Sequence, residues 1–175
     1  MSRKNLQPGE LGAFYCYSCK DHHLRITEAW ADFLADDRWN WQWYVTLTFK
    51  EEIHPEQAHK YFCRWIRRLN EFAYGKHFRK HNQGMTWVRG LEYQRRHVIH
   101  FHALISGLPD DVSRNFAMLL WENVAKNCGF ARVYPYKDGA CAYISKYVSK
   151  GGELDIWVGK SQKSLDLFSE AIFKR

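Results

Sequence analysis

At 175 residues and 46% hydrophobic, the chain has enough apolar material for one core and too little length for several domains. The polar N-terminus shows no signal peptide, no apolar run reaches membrane-spanning length, and five irregularly spaced cysteines exclude a disulfide framework; the reading is a cytoplasmic protein with reduced thiols. A net charge of +7, a pI near 9.2 and 17% aromatic residues, eight of them Trp, point to a polyanionic partner and to rings suited to base stacking as well as packing.

Residues 1 to 20, with Pro8, Gly9 and Gly12, read as an irregular lead-in. Ile26, Ala29, Trp30 and Phe33 predict a short helix over 26–34, and Asp36, Asp37 and Asn40 predict a break after it. The β-branched and aromatic run 42–49 predicts a strand. Pro55 suits a first helical turn, and Ala58, Phe62, Trp65, Leu69 and Phe72 step at helical spacing to give a helix over 55–72. Lys60, Arg64, Arg67 and Arg68 stay on its outer side. A basic loop over 75–84 follows, with Lys76, His77, Arg79, Lys80 and His81. Between His59 and His100 there are ten Lys/Arg against only Glu71 and Glu92, which is either a solvated helix face or a nucleic-acid surface.

Strands over 85–93 and 98–106 are joined by Gln94, Arg95, Arg96 and His97 as a hairpin. Pro109, Asp110 and Asp111 predict a turn and helix cap, with Val112, Phe116, Leu119, Leu120 and Val124 as the buried stripe of the helix. A strand near 130–134 and a helix over 138–150, stopped by Gly151 and Gly152, come next. A short apolar segment at 156–158 and a terminal helix from Ser161 close the chain. The order strand, helix, strand, strand, helix, strand predicts an α+β fold: a ferredoxin-like (RRM-like) sandwich, its central antiparallel sheet carrying helices on one face. The organisation expected is an N-terminal extension over 1–40, a core over 41–152 and a C-terminal helical extension over 153–175.

Side chains alternate along a strand, so His100 and His102 point one way and Phe101 the other. Two imidazoles on one rigid face are either a metal clamp or ordinary hydrogen-bonded strand histidines. Tyr143 and Tyr147 stand four apart, which on a helix brings the two phenols towards one side. Lys146 and Lys150 follow each tyrosine by three, placed to favour the phenolate of a group whose ordinary pKa is about 10. Packing tyrosines are the alternative. A metal clamp beside a presented phenol is the equipment of phosphodiester cleavage through a covalent tyrosine intermediate.

The segment 44–49 (Tyr-Val-Thr-Leu-Thr-Phe), His100-Phe101-His102, and Tyr143-x-x-Lys146-Tyr147-x-x-Lys150 resemble, in order, the three motifs of the HUH endonucleases. Those are the rolling-circle replication initiators of plasmids and single-stranded DNA phages. The resemblance spans about residues 43–151 and implies the ferredoxin-like architecture. It implies a divalent cation, Mn²⁺ or Mg²⁺, held by His100, His102 and Glu92; imidazole ligands favour Mn²⁺ of the two. Glu92 lies eight residues before His100, and pairing across the hairpin would bring it beside the histidines. In the family's Glu-x-x-x-x-Gly-x-x-His pattern His97 stands here in place of the glycine, and is itself a further ligand or phosphate-contact candidate.

The implied reaction is transesterification: a tyrosine, Tyr143 first and Tyr147 second, attacks a phosphate and leaves a 3′-hydroxyl and a 5′-phosphotyrosine. Thr46 and Thr48 would support the site or contact phosphate, and Arg64, Arg67, Arg68, Lys76, Arg79, Lys80, Arg95 and Arg96 are backbone-contact candidates. The implied partners are single-stranded DNA or an origin hairpin, with a host helicase, because no phosphate-binding Gly-x-x-x-x-Gly-Lys loop occurs. The implied setting is the cytoplasm of a bacterial host. A mobilisation relaxase or single-strand transposase of the same superfamily is a second reading, and a non-catalytic nucleic-acid-binding regulator a third. Cys16, Cys19, His22 and His23 have zinc-ligand residue types, against which free thiols are the alternative.

Overall fold

The computed structural model describes residues 10–94, 97–149 and 154–159, with side chains over 21–94, 97–147 and 154–159. The elements in chain order are α1 (Glu10–Ala35), β1 (Trp43–Phe49), α2 (Pro55–Tyr74), β2 (Thr86–Tyr93), β3 (Ile99–Ser106), α3 (Arg114–Glu122), β4 (Cys128–Pro135), α4 (Ala140–Ser149) and β5 (Leu154–Trp157). The strands form one antiparallel sheet ordered β4-β1-β3-β2-β5. From β1 to β4 this is the βαββαβ order of a ferredoxin-like sandwich, with β5 added beside β2.

Strand alternation sorts the sheet into two faces. Trp43, Val45 and Leu47 of β1, Phe101, Ala103 and Ile105 of β3, and Ala131 and Val133 of β4 are buried on one of them. That face receives Phe62, Trp65 and Leu69 of α2, and Ala117 and Trp121 of α3. Indole donors fix the seating. Trp65 Nε1 donates to Ala117 O at 2.9 Å, joining α2 to α3, and Trp121 Nε1 donates to Thr48 O at 3.1 Å, joining α3 to β1. The buried guanidinium of Arg89 lies over Phe101 and Phe62 (4.4 and 5.1 Å to the ring centroids) and pairs with Asp155 of β5. An unpaired charge there would be costly, so β5 supplies the partner that lets β2 carry it.

The helices do not keep to one face. Leu34, Trp39, Trp41, Cys141 and Ile144 pack with Val88 and Leu104, so α1 and α4 lie on the side opposite α2 and α3. The cause is the apolar pair Val88 and Leu104, which points away from α2 and needs its own cover. The last carbonyls of α1 are satisfied from this second cluster: Phe33 O accepts from Trp39 Nε1 at 2.6 Å, and Leu34 O from Trp41 Nε1 at 2.8 Å and Cys141 Sγ at 3.1 Å.

Three local expectations change. The lead-in expected over 1–20 is helical from Glu10, continuous with the helix expected over 26–34. Helix α3 is capped by Ser113, whose Oγ accepts from Phe116 N at 3.1 Å, and not by Asp110 or Asp111. Its buried residues are Ala117 and Trp121, while Leu119 is exposed. The helix expected from Ser161 lies outside the described residues.

Candidate functional site

The site forms where α4 crosses the second face of the sheet. Register puts Thr46 opposite His102, Thr48 opposite His100, Glu92 opposite His100 and Gly90 opposite His102. Directly paired residues share a face, so Tyr44, Thr46 and Thr48 of β1, His100 and His102 of β3, and Gly90 and Glu92 of β2 line one surface. The expected same-face pairing of the two histidines, and the cross-strand placement of Glu92 beside them, are what the structure has.

His102 is buried and held at both ring nitrogens. Nε2 is 3.2 Å from Glu92 Oε2; Nδ1 is 2.9 Å from the Tyr44 hydroxyl and 3.2 Å from Thr46 Oγ1. Since a carboxylate only accepts, the contact with Glu92 needs a proton on Nε2, and Nδ1 is directed at the two hydroxyls. Tyr44 belongs to the first motif, yet sequence reasoning gave it no role. The signal was available, because it precedes Thr46 by two and must face the same way. Burial pushes its pKa up to about 12, so it acts as a neutral hydrogen-bonding phenol. His100 is half-buried, and its Nδ1 lies 3.2 Å from Gln94 Nε2.

The two tyrosines of α4 differ. Tyr147 is buried at 2% exposure, its ring stacked on His102 at 5.2 Å and 7°, and its hydroxyl donates to Glu92 Oε2 at 3.3 Å. It shares the buried side of α4 with Cys141 and Ile144 and does not stand on a separate adjacent face. Gly90 makes the room: a Cβ there would stand 2.5 Å from Tyr147 Cδ2. Burial, foremost, with the adjoining Tyr143 phenol and the Glu92 carboxylate, raises the Tyr147 pKa far above the ordinary phenol value. Tyr143, one turn earlier, is 40% exposed, and its ring meets His102 edge-on at 5.2 Å. Lys146 Nζ lies 5.8 Å from the centre of the Tyr143 ring.

The structure therefore brings together Glu92, His102, Tyr143, Tyr147, Lys146 and Thr46, with His100 as an immediate neighbour. Thr48 turns its hydroxyl to the Phe130 carbonyl at 2.8 Å, bracing β1 against β4. Arg64, Arg67, Arg68, Lys76, Arg79 and Lys80 are exposed on α2 and the loop after it, and α2 covers the opposite face of the sheet. His97 is exposed in the hairpin turn and makes no part of the cluster. Arg95, Arg96 and Lys150 lie outside the described residues, as do the side chains of Cys16 and Cys19; His22 and His23 are exposed on α1.

Among the described residues no three His, Cys, Asp or Glu side chains converge as a ready-made cation shell. The donor set nonetheless has the right chemistry for a divalent ion with open positions: one carboxylate, one buried imidazole with a fixed ring, and a second imidazole on the same face. Among the described residues no helix is long and apolar enough to cross a membrane.

Residues 42–152 match the family model of the replication-associated protein ORF2/gene-2 protein. No curated protein and no solved structure matches the chain significantly. The matched stretch runs from the residue before β1 to beyond the end of α4, so it holds every member of the cluster just described. It also covers more than half of the chain, and on that ground the protein belongs to the replication-associated protein ORF2/gene-2 protein family.

Proposed function

We propose that the chain is a metal-dependent DNA nicking and joining enzyme of the HUH type that initiates rolling-circle replication. One observation carries this reading: a partly exposed phenol, Tyr143 of α4, meets the ring of a buried histidine whose Nε2 faces a carboxylate on the sheet beneath. Glu92, His100 and His102 would hold Mn²⁺ or Mg²⁺, and Tyr44 and Thr46 fix the His102 ring for that purpose. When bound, the cation supplies Lewis-acid polarisation of a phosphate oxygen and offsets developing negative charge.

Tyr143 is the nucleophile. Its hydroxyl gives up a proton to solvent, the phenolate oxygen forms a bond to phosphorus, and the bond to the departing 3′-oxygen breaks as that oxygen takes up a proton from solvent. That leaves a 3′-hydroxyl and a 5′-phosphotyrosine, and the reverse attack by a 3′-hydroxyl rejoins the strand without an external energy source. Lys146, beside the ring, would steady the charge on the departing oxygen. Tyr147 is a positioning residue: its ring braces His102, and its hydroxyl holds Glu92. The partners in this reading are single-stranded origin DNA and a separate helicase.

The test is incubation of the full chain with single-stranded origin DNA and Mn²⁺, scored for a denaturant-resistant protein–DNA adduct. We expect wild type and Tyr147→Phe to form it and Tyr143→Phe to lose it, and a chelator to suppress it. An adduct that survives in the Tyr143→Phe/Tyr147→Phe double variant refutes the assignment. No adduct from wild type on any origin strand turns the site into a passive nucleic-acid binder.

A further inference from the structure

Helix α4 packs on β2 and β3. On the same face, β4 carries large side chains that remain open to solvent. Phe130 is 53% exposed, Tyr134 is 50% exposed, and Arg132 between them is exposed as well. Register pairs Arg132 with Thr46 and Tyr134 with Tyr44, so this row stands one strand away from the cluster at His102. The guanidinium of Arg132 lies 5.1 Å from the centre of the Phe130 ring. A groove of about 630 Å³, with Thr48, Lys50, Gln94, His100 and Phe130 in its walls, runs from this row to His100.

An aromatic, a cation and an aromatic at every second position of a strand are spaced by about 6.8 Å per step. Two exposed rings flanking a cation on one strand make a patch that a partner can cover. Of the available partners, single-stranded DNA fits best: each base offers a π-face to a ring, each phosphate a charge to Arg132, and the chain carries +7 overall. A second copy of this chain would bring the same cation against itself.

We propose that β4 is a stacking platform for single-stranded DNA, in which Phe130 and Tyr134 each take a base, Arg132 takes the phosphate between them, and the groove leads the strand on to His100 and Tyr143. The proposal rests on the reading of the partner as single-stranded DNA given above, and it adds the residues that hold the strand beside the chemistry. None of the three belongs to the basic set on α2 that the sequence singles out.

The test uses the full chain and a fluorescein-labelled oligothymidylate, with binding followed by anisotropy in the presence of a chelator so that no covalent step intervenes. Phe130→Ala and Tyr134→Ala are each expected to weaken binding about tenfold, with Phe130→Trp restoring it and Phe130→Leu failing to. Arg132→Ala is expected to lower the slope of log affinity against log salt by about 0.7. All three side chains are exposed, so circular dichroism of the variants should match wild type. Wild-type affinity in the Phe130→Ala/Tyr134→Ala double variant would overturn the platform, as would full rescue by Phe130→Leu or failure of the wild type to bind the oligonucleotide. A dimer in sedimentation that Tyr134→Ala dissolves, with DNA affinity unchanged, would assign the face to a second copy instead. If the β4 variants bind normally while wild type forms the covalent adduct, the platform fails and the nicking reading stands. If they bind weakly while wild type forms no adduct, the platform stands and the nicking reading fails.

Discussion

Two tyrosines four residues apart have become chemically different groups, and the difference comes from what lies beneath them. Tyr147 sits over Gly90, where the missing side chain leaves space for a ring beside His102. Tyr143, one turn away, stays 40% exposed. We expect Gly90→Ala to push the Tyr147 ring off His102 and lower stability by about 1–3 kcal/mol, the usual cost of overpacking a filled site. The same substitution in a Tyr147→Ala background should cost much less. Equal losses in the two backgrounds, measured by urea denaturation, would show that the ring is not what occupies the space. The histidine pair and Glu92 were legible from alternation and hairpin pairing. Tyr44 and Gly90 were legible in principle, each lying two residues before a recognised site residue. The inequality of Tyr143 and Tyr147 was not, because helical spacing is blind to the depth of the surface opposite.

Among the elements, the β2–β3 hairpin shows how a departure from a family pattern is absorbed. His97 replaces the pattern's glycine, yet it adopts the glycine-like conformation itself, with φ at 57°, and its N–H donates to Gln94 O at 2.8 Å. The strain of that positive φ falls on one residue. His97→Gly should therefore be tolerated, with stability within about 1 kcal/mol of wild type, since relief of strain is offset by greater freedom in the unfolded chain. His97→Val should cost about 1–2 kcal/mol, because a β-branched side chain resists positive φ. Thermal melts of the two variants decide it, and a Val variant as stable as the Gly variant would sink the account. Strand and helix order from β1 to α4 was readable from hydrophobic period. Helix α1 was read over its last part only, from Ile26, Ala29, Trp30 and Phe33, and not back to Glu10, and the cap of α3 shifted because Ser113, not the aspartates, stands next to the first helical turn.

Across the whole molecule, the sheet separates two jobs. One face, under α2 and α3, holds the large aromatic core; the other holds the cluster under α4 and the open row on β4. Burial in the first region also sets a pH limit. Cys128 is fully buried, and desolvation raises its pKa from 9.0 to about 11. A thiol raised in the folded state favours folding while it stays protonated. Its contribution is complete below about pH 9 and is lost as pH climbs through about 11, because the unfolded chain ionises first. Urea midpoints measured on either side of that window should fall with rising pH, and less so in Cys128→Ala. An identical fall in the variant would assign the effect to other groups.

From the residues alone came the fold class, the strand that carries two histidines on one side, the acidic neighbour across the hairpin, and a pair of phenols on a helix. These follow from periods of 2 and 3.6 and from short-range pairing, which a single chain displays along its length. Only the folded structure decided that α4 and α1 cover the second face, that one phenol is sealed and the other presented, and that the open rings of β4 share the surface with His100. Those outcomes depend on which side chains meet across elements far apart in the chain, and no local pattern encodes that.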